Sequence, residues 1–437
     1  QTALNNETVY SLAISGNNIF AGTERSGVYL STNNGSSWTQ TALNNQSIYS
    51  LAISGNNIFA GTEYNGVYLS TNNGSSWTQT AFNQGNAYSI AISGNNIFAG
   101  TEQYGVYRST NNGQNWTQTA LNNKSIPALA ISGNNIFAGT YSGVYLSTNN
   151  GTTWTQTALS NKDVHSLAIN GNNIFAGTYN HGVLLSTNNG ESWSQTALIN
   201  QHICSIAISG NNIFAGTEYN GVYLSTNNGQ SWTHTTLFEK KVFSLSISGN
   251  NIFAGTNDFG IYLSTNNGQN WLQKNQGWNR IPSVSALLVA NSYIFAGTLG
   301  YSVWRRPLSD IIGIQNISSE IPSAFSLSQN YPNPFNPTTK IQFNVPLCHS
   351  GVGLGYPQNS RHFEPLPLCH SGVGRNPLVV LKVFDILGKE VATLVNESLQ
   401  PGTYETTFDA SNLSSGIYFY QLRSDNFIQT KKLTLIK

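Results

Sequence analysis

Eight residues, Ser-Thr-Asn-Asn-Gly-x-x-Trp, recur seven times, starting at Ser31, Ser70, Ser109, Ser147, Ser186, Ser225 and Ser264. The closing tryptophans (38, 77, 116, 154, 193, 232 and 271) stand 39 residues apart in every interval but one, which is 38. A fixed period of this size means stacked supersecondary units, so the fold is decided at the level of one repeat. Asn34-Gly35 is a strong hairpin signal, because both central residues of a type I′ turn need positive φ and Asn and Gly tolerate it best. Ser31 and Asn33 have side chains that can hydrogen-bond backbone groups of the same turn. Trp38 leads the following strand and is expected to fold back over the hairpin. Burying an indole removes ~150–250 Å² from water. The stretch therefore reads as a clamp between two strands.

One repeat, Val9 to Leu43, divides into four short runs of β-formers bounded by Gly, Asn or Ser: Ser11–Ser15, Ile19–Thr23, Gly27–Leu30 and Trp38–Leu43. None has helical periodicity. Four strands in a unit of this length predict a β-propeller blade. Ile-Phe-Ala-Gly-Thr occurs eight times, the last at Ile294. The eighth unit has strands at Ala286–Val289, Ile294–Thr298 and Val303–Arg306, then stops without a clamp or fourth strand. Gln1-Thr-Ala-Leu4 matches the fourth-strand ending Gln40-Thr-Ala-Leu43. The expectation is an all-β chain whose residues 1–308 form an eight-bladed β-propeller of four-stranded blades. The N-terminal strand, residues 1–4, would close the last blade and protect both edges. The chain starts inside a repeat and has no Met, so its N-terminus is expected to be trimmed.

The eight-residue stretch resembles the Asp-box (BNR) motif, Ser-x-Asp-x-Gly-x-x-Trp, of sialidase-like and related propellers. The Asp position is Asn in all seven copies: Asn33, Asn72, Asn111, Asn149, Asn188, Asn227 and Asn266. A neutral amide can bridge backbone groups but argues against a charge-dependent or metal role. The resemblance implies that the box lies at the blade periphery, away from any catalytic site.

Copies differ from one another in two places. One is the second-to-third-strand loop. The other is the entry to the first strand, at Tyr10, Tyr49, Tyr88, Pro127, His165, Cys204, Phe243 and Ser285. In an up-and-down blade both sets emerge on one face, and binding residues tend to sit on loops carried by a rigid scaffold. The expected ligand-binding residues are Arg25, Tyr64, Tyr104, Tyr141, Tyr179, His181, Tyr219 and Phe259. His165, His181 and His202 lack a Cys or Ser partner at a catalytic spacing and read as solvated loop residues. Scarce charge, a net charge of +1 and no basic block disfavour nucleic acid and anionic membrane. No apolar run approaches the length of a membrane span.

A glycosidase needs two carboxylates, or a Tyr nucleophile with its base, in an asymmetric pocket. Arg25, Arg108, Arg280, Arg305 and Arg306 do not suggest the arginine triad that a sialidase resemblance would imply. Glu24, Glu63, Glu102 and Glu218 occupy equivalent repeat positions. Asp163, Glu239 and Asp258 are the distinctive carboxylates. The chain is expected to be a non-enzymatic binding or adhesion module without cofactor or metal, its partner a glycan or a surface protein. A polysaccharide-active hydrolase of the Asp-box type is the alternative.

Residues 309–323 read as a linker. Residues 324–437 read as a small antiparallel Ig-like β-sandwich with Pro-Gly and Ser-Gly turns and no catalytic set. Phe325–Phe343, with its Tyr-Pro-Asn-Pro-Phe-Asn-Pro core, is followed by Leu381–Val391, Pro401–Tyr404, Leu413–Phe419 and Lys431–Lys437. Together they resemble the type A C-terminal sorting domain of the type IX secretion system of Bacteroidetes-like bacteria. That resemblance implies export to the periplasm, recognition by the type IX machinery at the outer membrane, and a secreted or outer-surface location. Pro-Leu-Cys-His-Ser-Gly-Val-Gly at Pro346 recurs at Pro367, inside an insertion at about 347–378. Cys348-His349 and Cys369-His370 lack the usual zinc spacing and read as the trace of a duplicated insertion.

Overall fold

The computed structural model describes residues 4, 6–275, 278–308, 311, 313–318, 320–347, 377–399, 401–411, 413–424 and 426–437. The expected strand at 1–4, apart from Leu4, and most of the insertion with its Cys-His pairs lie outside these residues. The chain divides into two units, Gln1–Leu308 and Ser309–Lys437.

In the first unit, seven repeats each form a four-stranded antiparallel sheet in sequence order. The first sheet comprises Val9–Ser15, Asn18–Thr23, Val28–Ser31 and Thr39–Gln40. An eighth, three-stranded sheet comprises Val284–Ala290, Tyr293–Thr298 and Val303–Pro307. The second strand is buried on both faces, because it lies between two neighbouring sheets. Ile19 and Ala21 pack with Phe295 and Val303 of the eighth sheet. Phe20 packs the other way, with Ile48, Ile58 and Ala60 of the second. The Gly of Ile-Phe-Ala-Gly-Thr is needed for this approach: a Cβ on Gly22 would lie 2.7 Å from Ile48 Cγ2. The Thr is buried and its hydroxyl donates to the Gly27 carbonyl at 2.7 Å, satisfying both groups. Each inner strand packs on the next, and Val284–Ala290 packs on both Val242–Ser248 and Val9–Ser15.

The box adopts its turn with Asn34 at φ 52° and Gly35 at φ 75°. Gly35 N and the Asn33 side-chain oxygen both meet Ser31 Oγ, at 2.7 and 3.0 Å. Asn33 Oδ1 also accepts from Ser37 N at 2.9 Å, and Asn33 Nδ2 donates to Ser37 Oγ at 2.9 Å. An Asp could make the first contact and would keep the second only with the hydroxyl as donor, whereas Asn donates to the hydroxyl and leaves its proton free for another acceptor. The same amide-to-hydroxyl bond forms at Asn72, Asn149, Asn188 and Asn227. The tryptophan closes on its own hairpin as expected where Trp116 Nε1 donates to Gly113 O at 3.0 Å and Trp271 Nε1 to Gly268 O at 3.1 Å, and it also reaches the neighbouring sheet. Trp38 packs against the Phe295–Val303 cluster, and Trp116 beside Phe59, Val67 and Phe82 of the preceding repeat. The clamp therefore joins neighbouring sheets. The fourth strand is also shorter than expected, two residues in all sheets but one, because the chain turns inward after Gln40 and Leu43 is buried outside the strand.

The second unit contains two four-stranded sheets. In one, Ile314–Ser318, Gly402–Asp409, Thr338–Val345 and Ser326–Leu327 lie side by side. In the other the order is Glu390–Ser398, Leu378–Phe384, Gly416–Ser424, Phe427–Leu435. Alternate residues of both sheets, including Ile341, Phe343, Leu381, Val383, Tyr420 and Leu422, share one core. The stretch expected as a linker thus contributes a strand, since Ile314 fills a core position and its strand caps the edge of Gly402–Asp409. Tyr420 explains part of the Pro-rich segment: its hydroxyl donates to Ser328 O at 2.7 Å and accepts from Asn330 N at 2.8 Å.

Candidate functional site

The varied face is built by one recurring irregularity. Each inner strand except that of the fourth repeat carries a β-bulge after its first residue: between Val9 and Ser11, Ile48 and Ser50, Val164 and Ser166, Ile203 and Ser205, Val242 and Ser244, Val284 and Ala286, and beside Thr101 in the third. A bulge leaves one residue outside the ladder and re-aims its side chain. The residues so placed are Tyr10, Tyr49, Tyr88, His165, Cys204, Phe243 and Ser285. In the fourth repeat Pro127 takes this position, and with no N–H to offer, the strand starts only at Ala128.

These side chains meet across sheet boundaries. Tyr10 and Tyr49 have ring centroids 5.9 Å apart, and Tyr49 and Tyr88 5.2 Å apart. His165 lies 5.6 Å from Tyr141, 5.8 Å from Tyr179 and 5.5 Å from His202, and Tyr179 is 4.4 Å from His202. Two aromatic arcs result, Tyr10–Tyr49–Tyr88 and Tyr141–His165–Tyr179–His202. Partial burial and the adjoining Glu24 and Glu63 push the Tyr10 and Tyr49 phenols above their usual range, so they stay neutral donors at physiological pH. Burial, reinforced by His202, pushes the His165 imidazole down. His165 and His202 are both only partly exposed, so the expectation that they are solvated loop residues is corrected.

The residues expected to bind ligand all sit on the second-to-third-strand loops of this face. That loop is tied to the strand-entry loops: Glu24 N donates to Thr8 O and Gly27 N to Gln46 O. Tyr141 and Tyr179 join an aromatic arc. Arg25 and Tyr64, both at φ 67°, line one open cleft of about 240 Å³ with Gln46, Ser47, Glu63 and Asn65. Tyr104 lies over Gly85, and Phe259 carries the Lys240 ammonium 4.0 Å from its ring centroid. His181 is partly buried, its carbonyl held by Gln195 Nε2 at 2.8 Å. Tyr219 is 70% exposed.

Beside the second arc lies a polar cluster. Glu218 Oε1 accepts from Lys241 Nζ at 2.8 Å, Cys204 Sγ donates to Glu218 Oε2 at 3.4 Å, and His202 Nδ1 is 3.9 Å from the same oxygen. Burial and the neighbouring carboxylate push the Cys204 thiol up to about 12. Although burial opposes ionisation of Glu218, its bonds from Lys241 and Cys204 prevail and hold the carboxyl below the usual range. The hairpin register carried this signal: Glu218 N donates to His202 O, so the two residues stand opposite each other, with Cys204 at the bulge.

Residues 371–437 match the family of secretion-system C-terminal sorting domains. That domain marks the protein for the type IX machinery and for release to the outer surface or the medium. Among the described residues no helix is long and apolar enough to cross a membrane. The propeller unit is similar to several solved structures. The computationally designed Ika8 protein aligns with a TM-score of 0.62 at 14% identity, covering 70% of this chain and 98% of its own. Sqt1 of Saccharomyces cerevisiae aligns at 0.56 and 15%, covering 70% and 97%, and BamB of Moraxella catarrhalis at 0.53 and 15%, covering 68% and 95%. At such identities the likeness shows an all-β, propeller-type fold alone. No curated protein matches the chain.

Proposed function

We propose that the chain is a secreted, non-enzymatic binding propeller of eight blades, with the first and eighth sheets adjoining to close the ring. Its aromatic arcs take up a carbohydrate chain. The closed reading is supported by the eighth sheet's contacts to the first: a Cβ on Gly297 would lie 2.7 Å from Val9 Cγ1, the counterpart of Gly22 against Ile48. Ser302 N donates to Glu7 O at 2.9 Å, and Gly300 N to Thr8 Oγ1 at 3.0 Å.

The observation that carries the binding reading is the Tyr10–Tyr49–Tyr88 arc. Neighbouring neutral phenols, with Glu24, Glu63 and Asn86 beside them, offer ring faces to sugar C–H groups and polar atoms to hydroxyls. A rigid ring of bulged strands presents them without an ordering cost at binding. The test is retention of the full-length chain on a panel of immobilised polysaccharides, with reducing ends measured in the supernatant. Retention without release supports the reading. Release of reducing ends overturns the non-enzymatic role in favour of a hydrolase. Absence of retention on every polysaccharide overturns the carbohydrate ligand in favour of a protein one.

A further inference from the structure

We propose that His202, Cys204 and Glu218 form a binding site for a borderline transition-metal ion of the zinc type. Three donors of three kinds, imidazole nitrogen, thiol sulfur and carboxylate oxygen, lie within 4.8 Å of one another. Bond lengths of ~2.0–2.3 Å place the corners of a zinc tetrahedron roughly 3.3–3.7 Å apart. The Cys204 Sγ to Glu218 Oε2 separation is 3.4 Å, and His202 Nδ1 to the same oxygen is 3.9 Å. All three donors lie within 4.8 Å of one another, so a movement of the imidazole towards the other two is needed to complete three corners. Three protein donors leave a fourth position for water or an incoming ligand atom, the ligand count of an open rather than a structural zinc site.

Comparison among the repeats singles out the sixth. At the position of His202 the other repeats place Thr8, Ser47, Asn86, Ser125, Asp163, Lys241 and Ser283. At the position of Cys204 they place three tyrosines, a proline, a histidine, a phenylalanine and a serine. Glu recurs at the third position, in Glu24, Glu63 and Glu102, where it faces tyrosine or Asn86. Only the sixth repeat sets nitrogen and sulfur donors opposite that carboxylate. The Cys/His content selects zinc or cobalt over magnesium or calcium, which prefer all-oxygen shells. Binding releases the thiol proton to solvent, and the thiolate and carboxylate together neutralise the dication. Lys241, 2.8 Å from Glu218 Oε1 and 4.7 Å from the Phe243 ring centroid, competes for the carboxylate and can swing aside along its flexible stem.

The test uses cobalt(II) titrated into the full-length chain, with Cys348 and Cys369 changed to Ser so that Cys204 is the sole thiol. A one-to-one complex with a thiolate-to-cobalt charge-transfer band in the near ultraviolet is expected, displaced by zinc. Cys204→Ser is expected to abolish the band. His202→Ala and Glu218→Gln are expected to weaken binding by ~10-fold or more, and Lys241→Met to tighten it. Absence of the band in the Cys348→Ser/Cys369→Ser chain overturns the site. So does unchanged affinity in both His202→Ala and Glu218→Gln. Circular dichroism of each variant separates loss of ligand from loss of fold. The readout is independent of polysaccharide retention, so either reading can fail alone.

Discussion

Gly35, in the first box, lies against the ring of Phe295 in the eighth sheet, so close that a Cβ there would come within 2.8 Å of Phe295 Cε1. The same pairing runs from Gly74 to Phe20, Gly113 to Phe59, Gly151 to Phe98, Gly190 to Phe137, Gly229 to Phe175 and Gly268 to Phe214. In these six cases the box of one repeat covers the phenylalanine of the preceding one, as the first box covers that of the eighth sheet. Arg305 adds to the first of these contacts by donating to Asn34 O.

Phe295→Ala is expected to destabilise the first unit by about 3–5 kcal/mol, the usual cost of removing a fully buried phenylalanine. Gly35→Ala combines a left-handed backbone with a clash and is expected to cost about 2–4 kcal/mol. If sheets one and eight are the joint of the ring, both variants lower the urea midpoint of the propeller as much as Phe98→Ala does within the array. A midpoint unchanged by Phe295→Ala would break the closed reading.

The box amide gives a second expectation. Asn72→Asp keeps the oxygen that accepts from Ser76 N but loses the donor to Ser76 Oγ. Asn72→Ala loses both and leaves the Ser76 amide without its partner. Costs of a few tenths of a kcal/mol for Asp and ~1 kcal/mol for Ala follow from the net worth of neutral hydrogen bonds. Thermal melting of the two variants in parallel measures the difference, and an Asp variant as unstable as the Ala variant would contradict this assignment.

Much of this was legible in the sequence for a physical reason. Ile-Phe-Ala-Gly-Thr reads as a strand, and Asn34-Gly35 as a turn with two left-handed residues. Both are local consequences of residue type. That Trp38 also packs with Phe295 and Val303 of the eighth sheet was not legible, since only packing between repeats brings a second sheet against an indole that follows a hairpin. The inner ring was half legible. Variation at Tyr10, Tyr49, Tyr88, His165 and Cys204 was visible, but the bulge that turns them out of the ladder depends on a one-residue mismatch between strands. The repeat pattern therefore points to the outer loops, to Tyr64 and Tyr219, and does not show how His202, Cys204 and Glu218 meet. The strand at Ile314–Ser318 was hidden because its partner, Gly402–Asp409, lies far along the chain.

Inner and outer aromatic residues should separate in binding. Tyr49 touches rings on both sides, whereas Tyr64 and Tyr219 are 69% and 70% exposed. Tyr49→Ala is expected to weaken retention on the bound polysaccharide by ~10-fold or more, from loss of one stacking anchor worth roughly 1–2 kcal/mol. Tyr219→Ala should change it less than about twofold. Affinity electrophoresis of both variants distinguishes them, and the reverse order would move the site to the outer loops.

The sorting domain should show its own response to acid. Glu405 stands in the central strand of its sheet. Burial disfavours its charge, but hydrogen bonds from Lys340 Nζ at 2.6 Å and Gln342 Nε2 at 2.9 Å prevail and hold its carboxyl below the usual range. A carboxyl depressed on folding contributes stability that is fully present above its unfolded value, near ~4.3. The contribution is lost as pH falls from there through the lower folded value. Lys340 is largely exposed, so the effect is modest and screened by salt. Calorimetry of the full-length chain should show the second unit's transition falling between about pH 5 and pH 3. Glu405→Gln should flatten that fall and lower the transition at neutral pH. An acid response identical in the variant would assign the loss to another carboxylate.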